Sequence, residues 1–210
     1  MGELQAQIDE TMGAMIPPDL RRLIDDMVQE LAARGEWGLP EGSVAPDFTL
    51  PDQNGNPVAL ADRLASGPVV LQFYRGEWCP ICNLSVRALQ GILPEIEGRG
   101  ASLVLISPQG PDLAGTMVEA NDLTFDVLSD LEQQTIAAYR LHFELSEALK
   151  PLYEQFDLDL RKKNADRTWN LPIPATFILD TDGVVRRRHV DPNYQQRMEP
   201  TDILTALDAI

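Results

Sequence analysis

Two cysteines, Cys79 and Cys82, stand three positions apart in the run Phe73-Tyr-Arg-Gly-Glu-Trp-Cys-Pro-Ile-Cys82. The mostly apolar stretch Pro68–Tyr74 ends just before them, and Leu84, Val86, Leu89, Ile92 and Leu93 continue after them at apolar positions of a helix. Pro80 suits the first helical position, which makes Cys79 the expected N-cap and Cys82 the third helical residue. Unpaired backbone N–H groups and the positive end of the helix dipole would then face both sulfurs. Such surroundings lower a thiol pKa from about 8.5 into a range of roughly 3.5–7.5. The thiolate is the form that attacks disulfides. With no third cysteine in the chain, a bond begun at one of these sulfurs must be closed by the other. The spacing predicts a pair that cycles between dithiol and disulfide.

Other uses of the pair are weaker. A bridge across three residues closes so small a loop that it would constrain the unfolded chain little. A zinc site needs about four ligands, and the 2 histidines, His142 and His189, lie far from the cysteines without ligand spacing. No metal and no cofactor is expected. The chain carries 33 Asp plus Glu against 17 Lys plus Arg, a net charge of -16. Such a surface repels phosphate backbones and anionic lipid, which argues against nucleic-acid or membrane binding. No apolar run approaches the roughly 18 residues of a spanning helix, and Met1-Gly2-Glu3-Leu4-Gln5 lacks the features of a signal peptide. A cytoplasmic location is expected, where a structural disulfide would be unusual.

The rest of the chain supplies the frame. Leu20, Leu23, Ile24, Met27, Val28 and Leu31 recur at helical spacing after Pro17-Pro18-Asp19, predicting a helical N-terminal extension over 1–42. Its apolar stripe suits either core packing or a homodimer contact. A single α/β domain, whose resemblance to the thioredoxin-like fold rests on the Cys79/Cys82 pair and on Leu171–Thr176, is expected over 43–210. Within it, Asp47–Leu50, Asn54-Gly55 and Val58–Leu60 read as a β-hairpin. Strands follow at 68–74, 102–106 and 125–128. Helices are expected after the cysteines, broken near Pro94, and around 112–121, 131–139 and 145–156. Residues 157–171 read as irregular. Ala175–Leu179, the turn Asp180–Gly183 and Val184–Arg188 form a closing hairpin, and a last helix covers 201–210. The alternation marks an α/β fold with a central mixed sheet flanked by helices. Arg186-Arg187-Arg188 suits an exposed edge strand.

Leu171-Pro-Ile-Pro-Ala-Thr176 resembles the proline loop of the thioredoxin superfamily, where a cis proline lies across from the cysteine pair. The resemblance implies a cis Ile173–Pro174 bond, with the backbone of Ile173 free to pair with substrate. From Val44 to about Val190 the chain resembles the alkyl hydroperoxide reductase and thiol-specific antioxidant family, the peroxiredoxin branch. Ala45-Pro46-Asp47-Phe48-Thr49-Leu50, the hairpin and the Phe73-Tyr74 strand end carry that resemblance. The family signature puts its peroxidatic cysteine at Cys82, with Cys79 in place of Thr, Arg75 in place of Pro, and Pro174 in place of an Arg.

The resemblance implies an antioxidant thiol oxidoreductase that reduces hydroperoxides or disulfides and is regenerated by an external thiol reductant. Two mechanisms stay open. In one, Cys79, outward-facing at the cap, attacks a disulfide and Cys82 resolves it. In the other, Cys82 attacks a peroxide and Cys79 closes the disulfide. The missing Thr and Arg favour the first. Arg75 either returns a guanidinium to the site or pairs with Glu77, and Trp78 walls it. The alternative in another class is a non-catalytic binding protein using the N-terminal helices as a partner surface.

Overall fold

The computed structural model describes residues 2–15 and 18–210; Pro17, part of the expected helix start, lies outside them. The chain opens with helices α1 (Glu3–Met15) and α2 (Pro18–Ala33). Next come the hairpin strands β1 (Thr49–Pro51) and β2 (Pro57–Ala59), joined through Gly55, whose φ of 83° the Asn-Gly turn requires. A short α3 (Leu60–Leu64) leads into β3 (Val69–Phe73). Then come α4 (Pro80–Gly91) and α5 (Leu93–Glu97), the break falling where Pro94 occupies the first turn of the second helix. After them run β4 (Ser102–Ser107), α6 (Pro111–Asn121), β5 (Asp126–Ser129) and α7 (Gln134–Ala138). The last third holds β6 (His142–Glu144), α8 (Lys150–Gln155), α9 (Leu160–Lys163) and β7 (Asn170–Pro172). It ends with β8 (Ala175–Leu179), β9 (Val185–Val190) and α10 (Pro200–Leu207).

The central sheet has the order β5-β4-β3-β8-β9. β3 is parallel to β4 and antiparallel to β8, so the sheet is mixed. Every residue of β3 is buried, as a strand covered on both faces requires. Its alternating side chains feed two cores. Val69, Leu71 and Phe73 join Met27 and Leu31 of α2, Leu60 and Ile136 on one face. Val70 and Tyr74 join Leu4, Ile8 and Met12 of α1, Val86 and Leu89 of α4, and Ile203 of α10 on the other. The N-terminal helices are thus tied into both cores, and Ile24, Met27 and Leu31 of the apolar stripe are buried within the chain itself.

Two expectations change in the last third. Only Lys150–Gln155 of the expected 145–156 helix is helical, and just before it His142–Glu144 pairs with Asn170–Pro172 as an antiparallel ladder outside the expected strands. That pairing also orders part of 157–171, with α9 between. β9 forms an edge of the sheet, and Arg186 and Arg187 are exposed on it.

Candidate active site

The site begins where β3 ends. Tyr74 extends the parallel ladder through its N–H to the Ile106 carbonyl, 3.0 Å away. The chain then turns at Gly76, with φ at 152°; a Cβ there would lie 2.4 Å from Trp78 Nε1. The Cys79 N–H donates to the Gly76 carbonyl at 3.2 Å, closing the turn onto the helix. Cys79 is extended, caps α4, and its Sγ accepts from the Cys82 N–H at 3.4 Å. Polar side chains brace this loop from outside. Gln109 accepts from the Glu77 N–H at 2.7 Å, and Asn83 Nδ2 donates to the carbonyls of Glu77 and Cys79 at 2.7 and 2.9 Å. Asn121 holds Asn83 in turn, at 2.8 Å. Glu77 pairs with Lys163 at 2.7 Å, not with Arg75.

The two sulfurs share a helix turn but not an electrostatic setting. Burial raises both thiols. At Cys82 this is outweighed by the hydrogen bond from the Cys79 thiol, the Arg197 guanidinium, and the backbone N–H and guanidinium of Arg75, and its pKa falls well below the ordinary thiol value. At Cys79 burial is reinforced by the hydrogen bond to Cys82 and by the negative charge there, and its pKa rises well above that value despite both arginines. The surroundings thus favour the charged form at Cys82 and the neutral form at Cys79.

Both arginines are buried, Arg75 at 3% exposure and Arg197 at 6%. Among the described residues neither forms an ion pair with a carboxylate. Their charge is therefore free to act on the sulfurs. Arg197 Nη2 lies 3.8 Å from Cys82 Sγ, while its Nη1 donates to the carbonyls of Tyr194 and Gln196. The Arg75 guanidinium is sandwiched between the rings of Tyr194 and Trp78, 4.3 and 4.9 Å from their centroids, and donates to the Tyr153 hydroxyl. Arg75, Trp78 and Cys79 are among the residues that line a largely apolar cavity of about 430 Å³; Cys82 is not.

The AhpC/TSA family model matches residues 42–188. The chain belongs to the AhpC/TSA family. A Mycobacterium tuberculosis protein named as a peroxiredoxin is 31% identical over 147 residues, covering 70% of this chain and 82% of that one. The thiol-disulfide oxidoreductase ResA of Geobacillus kaustophilus is 26% identical, over 70% of this chain and 67% of its own. The crystal structure of peroxidoxin BcpB from Mycobacterium tuberculosis superposes with a TM-score of 0.64 at 24% identity, covering 83% of this chain and 99% of that one. The fold is accordingly the peroxiredoxin variant of the thioredoxin-like α/β fold. This AhpC/TSA member is a thiol-dependent oxidoreductase with an antioxidant role, an enzyme rather than a non-catalytic scaffold.

Set in the AhpC/TSA frame, several expectations are corrected. Cys79 does not face outward: both cysteines are 1% exposed, because side chains from α1, α2 and α8 close over the cap. The helix dipole alone cannot separate the two thiols, and the side chains around them do. No peptide bond among the described residues is cis, so Ile173–Pro174 is trans. The Ile173 N–H donates to the Leu141 carbonyl at 2.7 Å, continuing the β6–β7 pairing, and is not free for a substrate strand. Ile173 and Pro174 instead line a narrow gap with Arg75, Met27 and Tyr194. Arg197 was invisible to motif reading. It lies 115 residues beyond Cys82, outside the family match, in a segment with no chemical signature.

Proposed function

We propose that the enzyme reduces hydroperoxides with Cys82 as the attacking thiolate and Cys79 as proton donor and resolving thiol. The observation that carries this is the buried, carboxylate-free Arg197 guanidinium 3.8 Å from Cys82 Sγ, which favours a thiolate there and leaves Cys79 the neutral donor. Cys82 S⁻ attacks the terminal oxygen of ROOH, forming an S–O bond as the O–O bond breaks. The leaving alkoxide takes the Cys79 proton and departs as ROH. The Cys79 thiolate then attacks the Cys82 sulfenic acid, an S–S bond forms as the S–O bond breaks, and the departing hydroxide leaves as water by taking up the proton that Cys82 released to bulk solvent on ionising.

Arg75 and Arg197 supply the positive charge that stabilises the developing alkoxide, work that the family assigns to an Arg where this chain has Pro174. Cys79, at the family's Thr position, supplies the adjacent donor. An external dithiol then attacks the disulfide at Cys79, the sulfur on the cavity side. Cys82 leaves readily as the thiol of lower pKa. Relatives named as a peroxiredoxin and as a thiol-disulfide oxidoreductase support both half-reactions. A reducing compartment such as the cytoplasm suits this cycle.

The test is one equivalent of hydroperoxide added to reduced protein, read by mass spectrometry. Wild type is expected to give an intramolecular disulfide, and Cys79→Ser a sulfenic acid at Cys82. Mixed disulfides trapped on Cys79 in Cys82→Ser, with peroxide untouched by Cys79→Ser, would replace this reading by disulfide exchange led by Cys79.

A further inference from the structure

We infer that Glu199 is a positioning residue for the cysteine centre: its carboxylate fastens α1 to the segment that carries Arg197 and thereby keeps that guanidinium against Cys82. This deepens the reading above and rests on its choice of Cys82 as nucleophile. Residues 191–199, between β9 and α10, form neither helix nor strand, so their neighbours must place them. Arg197 cannot place itself. Among the described residues its hydrogen bonds, apart from the contact with Cys82, go to the Tyr194 and Gln196 carbonyls of its own segment, and its buried Nε has none. Met198 is buried next to it, but hydrophobic burial has no direction and does not fix a distance of 3.8 Å.

Directional contacts come from α1. Glu199 stands at the N-cap of α10, yet its carboxylate caps α1 instead. Oε2 accepts from the Leu4 N–H at 3.1 Å and Oε1 from the Gln5 N–H at 2.9 Å. These are first-turn donors without partners in their own helix, and a carboxylate suits the positive end of its dipole. Gln5 Nε2 donates to the Gln195 carbonyl at 3.2 Å. So α1 grips the chain two residues before Arg197 and two residues after it. Its other anchor is the helix of the nucleophile, since Leu4, Ile8 and Met12 share a core with Cys82, Val86 and Leu89. The approach is close: a Cβ on Gly2 would lie 2.0 Å from Glu199 Cδ. Among the described residues Glu199 pairs with no cation, Arg197 included. Acting on Cys82 directly, its charge would oppose a thiolate; acting through Arg197, it favours one. Arg75, Tyr74 and Tyr153 also face the sulfurs, Tyr194 faces Cys79, and His189 faces Arg197 with Asp191 and Asp202 near it. The match to the AhpC/TSA model covers 42–188, so both ends of the clamp are features of this chain beyond the family core.

The test titrates the thiolate ultraviolet absorbance of the reduced full chain, with the step assigned to Cys82 by its loss in Cys82→Ser. Glu199→Ala is expected to raise the midpoint. A guanidinium that drifts to twice its distance keeps about half its attraction, so the rise should be about half of that in Arg197→Gln. Glu199→Gln keeps an acceptor and should restore part of the loss. Gly2→Val displaces the carboxylate without removing its charge and should raise the midpoint as well. In an Arg197→Gln background, Glu199→Ala should raise it no further. A midpoint that stays put while Tm falls makes the clamp a structural brace, and one that drops makes Glu199 act by its own charge; either overturns the inference. Should Glu199→Ala fail to fold, Gly2→Val decides by the same criteria. A wild-type midpoint no lower than about 8.5 refutes the thiolate at Cys82 and with it the reading above. A depressed midpoint indifferent to Glu199→Ala and Gly2→Val refutes the positioning role alone.

Discussion

The first turn of α4 has two sides, built from different parts of the chain. On the Cys79 side stand α1, α2 and α8, and what they bring is Met12, Ile24, Met27 and Leu152. On the Cys82 side stands the segment before α10, and what it brings is the Arg197 guanidinium, 3.8 Å from the sulfur. Both sulfurs are equally buried and both sit at the same helix terminus. Arg75 acts on both sulfurs, but only Cys82 also has the Arg197 guanidinium at 3.8 Å and accepts a hydrogen bond from the other thiol. Burial alone disfavours a charged sulfur, so the added compensation at Cys82 pushes its pKa down while that of Cys79 is pushed up.

The sharpest way to break this comparison is to remove one sulfur at a time. Cys82→Ser is expected to lower the rate of peroxide consumption on the order of a thousandfold or more, since no other group replaces the nucleophile. Cys79→Ser should keep a single turnover. Comparable losses in single-turnover rate for both variants would erase the distinction between the two sides.

The next largest effect is expected at Arg197. Arg197→Gln removes the cation while keeping a polar chain, and a lost electrostatic donor of this kind costs roughly a hundredfold. The thiolate ultraviolet absorbance should then titrate nearer the usual value of about 8.5. The variant's rate would recover in part as pH rises, and Arg197→Lys should restore some of it. A rate loss with no movement of the titration would mean that Arg197 acts by packing.

The same ionisation has a consequence for stability. Cys82 is depressed in the folded protein relative to about 8.5 for an unfolded thiol. Its thiolate therefore stabilises the fold in full above that pH, and the contribution is lost as pH falls through the folded value. The Tm advantage of reduced wild type over Cys82→Ser should shrink steadily between pH 8 and the acid range. An advantage that stays constant would place the Cys82 titration elsewhere.

Smaller effects probe the loop that joins the two sides. Gly76→Ala adds a Cβ where the backbone has positive φ and Trp78 stands 2.4 Å away. It should cost about 1–3 kcal/mol in denaturant unfolding. Lys163→Met loses a partly exposed pair with Glu77 and should cost less than about 1 kcal/mol.

Much of the frame was legible because it rests on local patterns. The apolar run 68–74 became the central strand, Asn54-Gly55 a hairpin turn, and Pro94 a helix break. Where long-range pairing competes with local pattern, reading failed. No strand is expected at 142–144, yet these residues form a ladder with 170–172, and their partner is too distant for any local window to reveal. The Ile173 N–H is likewise engaged from a distance, by the Leu141 carbonyl, which no local window could show.

The sequence by itself determined that two thiols would share the first turn of a helix at the end of a buried strand. The proline between them, the apolar run before them and the absence of a third cysteine are enough for that. It could not decide which thiol carries the charge, because the backbone N–H groups and the dipole act on both sulfurs through the same turn of helix. Only the tertiary structure does so, by bringing Arg197 from 115 residues away to one sulfur and the apolar side chains of α1, α2 and α8 to the other. In a buried site charge is governed by what lies within a few ångströms, and the fold alone sets those neighbours.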